Sequence, residues 1–235
     1  MTLNTLQGHD HRRLTECNYL IGVDEAGRGA LAGPVVAAAC VLDRQFFETK
    51  EAVLLSAEIN DSKQLTAHAR AAQMERVERL RMRGFLDVAV AEATVEEISA
   101  LNILGATRLA MQRALEALAA RADGWELCRE EATGPLFVQN GSKLTCLVDG
   151  RPLRPFPYAH EGIVKGDSLS LSIAMASIAA KVARDRALVA LAKSFPGYGL
   201  EQHKGYGTAM HRLAIRRLGP SSVHREHFLR KILTP

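Results

Sequence analysis

The sequence predicts an α/β or α+β domain built on a sheet of mixed strand pairing, and three observations carry that prediction. Two short apolar runs, residues 19–23 and 35–42, come first and are separated by a glycine-rich turn. From residue 66 onward, helical and strand-like segments alternate, the order that lays helices against a sheet. A long alanine-rich stretch from residue 168 to about residue 193 carries small side chains such as Ala174, Ala176 and Ala180, which let a helix sit close to a sheet.

Taken in order, the chain opens with a polar arm, and the run 19–23 then ends in Asp24 and Glu25. The eight apolar residues of 35–42, bounded by Pro34 and Asp43, read as a buried strand. Residues 66–83 have helical composition and stop at Gly84, a natural helix terminator, while 85–93 is strand-like. Thr94 and Glu97 form a T-x-x-E capping box opening a helix that runs to about Ala120. Residues 121–143 are polar, contain Gly124, Gly134, Pro135 and Gly141, show no period, and read as an irregular insertion. Residues 144–148 form a strand ending at Asp149, and 161–164 form another ending near Asp167. Beyond Pro196, a Gly/Tyr-rich loop leads to a short helix with Met210, Leu213, Ala214 and Leu218 on one face. This divides the chain into a main domain over 18–195 and a basic, helical C-terminal appendage over 196–235.

At 235 residues and 47% hydrophobic content the chain can bury one generous core. The four cysteines form no C-x-x-C pair and read as reduced thiols, the usage expected of a cytoplasmic protein. No apolar run approaches the ~18 residues of a membrane span, and the first residues lack the apolar stretch of a secretory signal, so no membrane partner is expected. The net charge of +4 is unevenly spread: residues 204–235 hold seven Lys/Arg against one acid, leaving the rest of the chain at −2. That asymmetry fits a tail facing phosphate and equally a solvated basic helix.

Four acids stand where strands end: Asp24, Glu25, Asp149 and Asp167. Each alone has a plain explanation. Asp149-Gly150 is a turn dipeptide, Asp167 before Ser168 is a helix N-cap, and Asp24 and Glu25 are solvated strand-end acids. Jointly they point elsewhere, because strands of one sheet bring their ends together. Oxygen-only ligands without a His or Cys cluster select hard cations, so Mg²⁺ or Mn²⁺ is implied and zinc is not. Two such ions ~3.5 to 4 Å apart suit phosphoryl chemistry. Asp24 and Glu25 are adjacent, however, and successive strand residues face opposite ways, so both reach one site only if the strand breaks there. Gly27 and Gly29 would allow that break.

Gly27-x-Gly29-x-x-Ala32 loosely fits a dinucleotide-binding fingerprint, but that motif must open a helix, whereas Pro34 and VVAAACVL read as a strand. HREH at 224–227 is not the H-E-x-x-H of a zinc peptidase, and these histidines read as surface residues.

The segment GVDEAGRGALAGPVVAA closely resembles the signature of bacterial ribonuclease HII. The match continues, in order, through NDSKQL, ALNILGATRLAMQ, LVDG, VKGDSLSLSIAMASIAAKVARDR, HKGYGT and LGPSSVHREHF. The resemblance implies a ribonuclease H-like fold, a mixed five-stranded sheet flanked by helices with a helical C-terminal appendage. It implies cleavage of RNA/DNA hybrids and of duplex DNA containing ribonucleotides. The family's catalytic, metal-binding acids carry over onto Asp24, Glu25, Asp149 and Asp167. Gly27, Arg28 and Gly29 are similar to the element that reads the ribose 2′-hydroxyl, the group that distinguishes RNA from DNA. Tyr206 looks like the residue that packs at the RNA-to-DNA junction; without the resemblance it is a tyrosine in a glycine-rich turn. Ser62 and Lys63 would hold phosphate, with Asp61 orienting their loop. Departures from the family pattern are Ala30, where proline is common, Arg151, where asparagine is usual, and Met175, where alanine is usual. Residues 121–143 exceed the usual connection. The rival from another class is a non-catalytic nucleic-acid-binding module, which would gain nothing from clustered negative charge facing phosphate.

Overall fold

A computed structural model describes residues 2–60, 66–130 and 144–233. Asp61, Ser62, Lys63 and most of the expected insertion, residues 131–143, lie outside the described residues.

Five strands form one sheet in the order β3-β2-β1-β4-β5. They are β1 (Tyr19–Ala26), β2 (Val35–Asp43), β3 (Leu86–Ala93), β4 (Leu144–Asp149) and β5 (Glu161–Ile163). The first three pair antiparallel, while β4 runs parallel to β1 and β5 parallel to β4. The sheet is mixed, as expected.

Strand alternation splits the apolar residues between two faces. Ile21, Val23, Val35, Ala37, Ala39 and Val41 face a cluster completed by Ala106, Ala110, Met111, Ala114 and Leu115 of helix α4 (Val95–Ala119). Leu20, Ala38, Cys40 and Leu42 face the other way, onto Leu171, Ile173, Ala174 and Ile178 of helix α5 (Leu171–Ser194). Helix α5 approaches the sheet closely because β1 carries glycine where they meet. A Cβ on Gly22 would lie 2.3 Å from the backbone nitrogen of Ile173.

Helix α3 (Ala67–Met82) is capped by Thr66, and Thr94 with Glu97 forms the predicted capping box of α4. Three expectations need correction, and one further helix is present. The N-terminal arm is helix α1 (Thr5–Glu16), capped by Asn4 and Gln7, with Leu6 and Leu14 buried against the α5 side of the sheet. Its buried Asp10 accepts a hydrogen bond from Ser172 N at 2.7 Å. A short helix, α2 (Lys50–Ser56), follows β2. Helix α4 is not continuous: Asn102 has φ 58° and ψ 172°, and its Oδ1 accepts from Leu104 N and Gly105 N, so its side chain caps the longer second segment. Helix α5 starts at Leu171 with Ser170 as its cap, three residues later than expected, and Asp167 is therefore not a helix cap.

The C-terminal region comprises α6 (Leu200–His203), α7 (Ala209–Leu218) and α8 (Glu226–Leu233). It joins the main body through a third cluster in which Leu31, Ala32 and Leu188 meet Tyr198, Leu200, Ile215, Val223 and Leu229. The buried face of α7 is His211, Ala214 and Ile215; of the residues grouped on one face by the sequence, Ala214 is buried while Met210, Leu213 and Leu218 are exposed. Two imidazoles, His211 and His224, fill space that the apolar count alone would give to leucine or methionine. Cys17, Cys40 and Cys146 are buried free thiols and Cys128 is an exposed one. Among the described residues no helix is long and apolar enough to cross a membrane.

Candidate active site

Parallel pairing of β1 with β4 sets Val23 opposite Val148, and the next residue of each strand is an aspartate. Leu20 and Leu147 lie on the α5 side of the sheet, so the two-residue period puts Asp24 and Asp149 there too. Asp167 comes from a 3₁₀ turn, Gly166–Ser168, after β5. Lys165, at φ 58°, turns the chain, and Gly166 N donates to Asp149 Oδ1 at 2.7 Å. A Cβ on Gly166 would lie 2.6 Å from Ile173 Cδ1, so a side chain here would require the Ile173 terminus to move.

Carboxylate oxygens of Asp24, Asp149 and Asp167 lie within 4.8 Å of one another, with Asp24 and Asp167 buried. Three carboxylates this close repel one another in a site of low dielectric, and a cation between them removes that penalty. The donor set is all oxygen, which fits a hard divalent cation.

Glu25 stands outside that group. The expected strand break does not occur: β1 stays paired through Ala26, with Asp24 opposite Ala38 and Glu25 opposite Ala37. Glu25 is thus on the opposite side of the strand from Asp24 and pairs with Arg28 at 3.1 Å. Being near the strand's end, it still borders the same cleft, a volume of about 250 Å³.

That cleft is also lined by Gly27, Arg28, Gly29 and Tyr206, so the sequence-selected glycine loop and tyrosine meet the acids in space. Gly27 has φ 95°, and a Cβ there would fall 1.9 Å from Arg184 Nε. Gly29 borders open space, leaving its backbone approachable.

Other residues at the cleft escaped the sequence reading. Ser177 and Lys181 of α5 line it, and Arg184 lies one turn further on. Their spacing of four and three residues marks one helix face, the signal that would have found them. Lys181 Nζ pairs with Asp185 at 2.6 Å and sits 5.4 Å from the centre of the Tyr206 ring, with the Arg184 guanidinium 5.2 Å away.

Arg225, counted in the sequence among the phosphate-facing charges, is buried. Burial, with Arg184 nearby, pushes its pKa down to about 9, which leaves it cationic at neutral pH. His224, expected on the surface, is also buried, and its Nε2 lies 3.1 Å from Nε2 of His211. His224 Nδ1 accepts from Ser221 N, and His211 Nδ1 is 3.0 Å from the carbonyl of Tyr206. This set of contacts requires neutral rings: His224 donates to His211, and His211 donates to the backbone of Tyr206. Burial accordingly pushes the His211 pKa down to about 4.

Comparison with known proteins agrees with this architecture. The ribonuclease HII family model matches residues 21–231. A ribonuclease HII of Fusobacterium nucleatum is 47% identical over 220 residues, covering 93% of this chain and 89% of that protein. The ribonuclease H2 structure from Pyrococcus horikoshii OT3 is 22% identical and superposes with TM-score 0.62, covering 91% of this chain and 96% of that one. A Bst-RNase HIII structure, described as a complex with Mn²⁺, is 21% identical with TM-score 0.61, covering 91% and 65% of the two chains.

The fold is therefore of the ribonuclease H-like class, a mixed five-stranded sheet with helices and a helical C-terminal region. The chain belongs to the ribonuclease HII family. It is an enzyme, a hydrolase of the ribonuclease H type acting on the RNA of RNA/DNA hybrids.

Proposed function

We propose that this enzyme cleaves the RNA strand of hybrids and also nicks duplex DNA on the 5′ side of a single embedded ribonucleotide, leaving 5′-phosphate and 3′-hydroxyl ends. The observation that carries this reading is the convergence of Asp24, Asp149 and Asp167 from three separate elements, within 4.8 Å, beside a cleft bordered by the glycine loop and Tyr206.

Asp24, Asp149 and Asp167 would hold Mg²⁺ or Mn²⁺, and Glu25 completes the acidic border. Such ions, two in the full reaction, supply an activated water and stabilise the leaving oxygen of an in-line displacement. Residues 27–29 present backbone groups to the 2′-hydroxyl, which both donates and accepts. Arg28 is half exposed at the mouth of the cleft and can meet phosphate while its partner Glu25 fixes its guanidinium. Tyr206 offers a ring face, stiffened by Lys181 and Arg184, against which the sugar and base of the junction pack. Ser62 and Lys63 would hold phosphate, as the resemblance implies. The C-terminal arginines 212, 216 and 217 are exposed and suit contact with the duplex backbone.

The test is cleavage of a DNA duplex containing one ribonucleotide, with and without EDTA, and with product ends identified. Cutting 5′ of the ribonucleotide that requires Mg²⁺ or Mn²⁺ and yields 5′-phosphate supports the reading. A 2′,3′-cyclic phosphate, showing that the 2′-oxygen attacks, removes it.

A further inference from the structure

The glycine loop that borders the cleft is held from behind by the C-terminal region. Arg225 Nη1 donates to the carbonyls of Gly27 (2.8 Å), Arg28 (3.1 Å) and Ala30 (2.9 Å). Its Nε donates to Gly33 O and its Nη2 to Pro34 O, each at 2.9 Å. One guanidinium therefore gathers five carbonyls of an eight-residue turn. Arg184 adds bonds to Ala32 O and Pro34 O, and ties them to Lys204 O, two residues before Tyr206. Backbone pairing reinforces the arrangement: Arg225 N donates to Leu31 O, Gly33 N to Val223 O and Leu31 N to Gly205 O, each at 2.8 Å.

Burying a guanidinium carries a desolvation cost that an apolar plug would avoid, so anchoring alone does not explain this choice. A planar fork of five donors fixes the orientation of several peptide groups at once, which a plug cannot do. Because the C=O and N–H of one peptide point in opposite directions, drawing the carbonyls of Gly27 and Arg28 to Arg225 turns the N–H groups of Arg28 and Gly29 away from it.

We propose that Arg225, assisted by Arg184, is a positioning residue for ribose recognition: by fixing the peptide planes of residues 27–34 it sets how strictly the site demands a 2′-hydroxyl. The C-terminal region thus contributes to substrate discrimination through the buried side of the cleft wall, beyond any contact its exposed charges make with phosphate. This rests on the proposed role of residues 27–29 in reading the 2′-hydroxyl. The geometry required is fine, since ~1 Å of misplacement at a reacting centre costs about 10²-fold in rate.

The test compares the wild type with Arg225→Lys and Arg184→Lys. Lysine keeps the charge but cannot span the carbonyls. Two quantities are read: amide hydrogen exchange of residues 27–34, and kcat/KM on duplexes whose single modified nucleotide carries either a 2′-hydroxyl or a 2′-fluorine, which cannot donate. In Arg225→Lys, loop amides should exchange at least tenfold faster while those of β1 and β2 stay as in the wild type. The preference for hydroxyl over fluorine should fall at least tenfold, with Arg184→Lys showing the same change to a smaller degree. A structural anchor only would lower both kcat/KM values in proportion and leave their ratio unchanged; a wild-type ratio in Arg225→Lys overturns the proposal, whatever the exchange rates. If the wild type itself fails to prefer the hydroxyl, the reading of residues 27–29 fails and this proposal with it, a pattern distinct from loss of the ratio in the variants alone.

Discussion

Asp167 and Ser170 stand three residues apart and do different work. Ser170 caps α5 by accepting from Ile173 N, whereas Asp167 lies in the preceding turn with its carboxylate near those of Asp24 and Asp149. Asparagine caps helices about as well as aspartate, but it ligates a hard cation weakly and brings no charge. Asp167→Asn and Asp24→Asn should therefore nearly abolish cleavage while leaving the thermal midpoint at or above the wild-type value, since each removes carboxylate repulsion. Ser170→Ala should do the reverse, lowering stability by about 1 kcal/mol with activity retained in the folded fraction. Wild-type turnover by Asp24→Asn under saturating Mg²⁺ would remove Asp24 from the site. His211 gives a pH signature of the opposite kind. Its ring is buried and lies beside two other imidazoles, His203 (stacked at 4.1 Å between centroids) and His224, so protonation is resisted in the folded state, burial outweighing the opposing hydrogen bond to the carbonyl of Tyr206. The folded pKa lies near 4 against an ordinary 6.5, so the unfolded chain takes up the proton first as pH falls. Stability is unaffected by this group above about pH 7 and is lost progressively between pH 6.5 and 4, by about 2 kcal/mol at pH 5. Urea titrations at pH 7.5 and 5 should show that loss, and a His211→Gln variant should show less of it.

At the scale of elements, the close approach of α5 to β1 fixes where the acids fall. Gly22 sits where the strand meets the first turn of the helix, and a Cβ there would lie 2.3 Å from backbone atoms of Ser172 and Ile173. Backbone cannot swing aside as a flexible side chain can, so Gly22→Ala should cost about 3 kcal/mol, measured by denaturant unfolding. Because the displaced helix also carries Ser177 and Lys181, activity of the folded fraction should fall as well. A variant as stable as the wild type would show that the helix relaxes freely. Elements with strong periods or local caps were legible in the sequence: the apolar run of β2, the capping box at Thr94 and the stop at Gly84 all depend on neighbours within a few residues. Helix α1 was not, because its polar composition suits a solvated arm until Asp10 meets the N-terminus of α5, 162 residues away. The break at Asn102 is invisible for a similar reason. Its sequence continues a helical pattern, and only the observed φ of 58° separates the two segments.

For the whole molecule, the three aspartates were legible because acids beside apolar runs at strand ends are costly without a function, and the parallel register of β1 and β4 does the rest. Glu25 was not resolved, since alternation along an unbroken strand sends it away from Asp24. Charge was legible in amount and not in use. The +6 of residues 204–235 includes Arg225, which is buried against carbonyls, so the net figure overstates what faces solvent. Deleting the whole tail would remove both the exposed charges and the clamp on the glycine loop, and would mix two effects. A cleaner variant replaces Arg212, Arg216 and Arg217, all exposed on α7, by glutamine, leaving the buried His211, Ala214 and Ile215 untouched. If these arginines neutralise phosphates, each releases condensed counterions on binding, and its loss lowers the slope of log affinity against log salt by roughly 0.9 on duplex DNA. The triple variant should bind more weakly at low salt, lose less affinity as salt rises, and converge on the wild type near the salt concentration where non-specific contacts are screened. Arg212 donates to the carbonyl of Gly207 and Arg216 to that of Ile232, outside the glycine loop of residues 27–34, so the preference for a 2′-hydroxyl should be preserved while affinity falls. Binding isotherms of a ribonucleotide-containing duplex across a salt series, taken with Ca²⁺ in place of Mg²⁺ to suppress cutting, measure this directly. An unchanged slope would mean that α7 is merely solvated and that the duplex is gripped elsewhere on the cleft's rim.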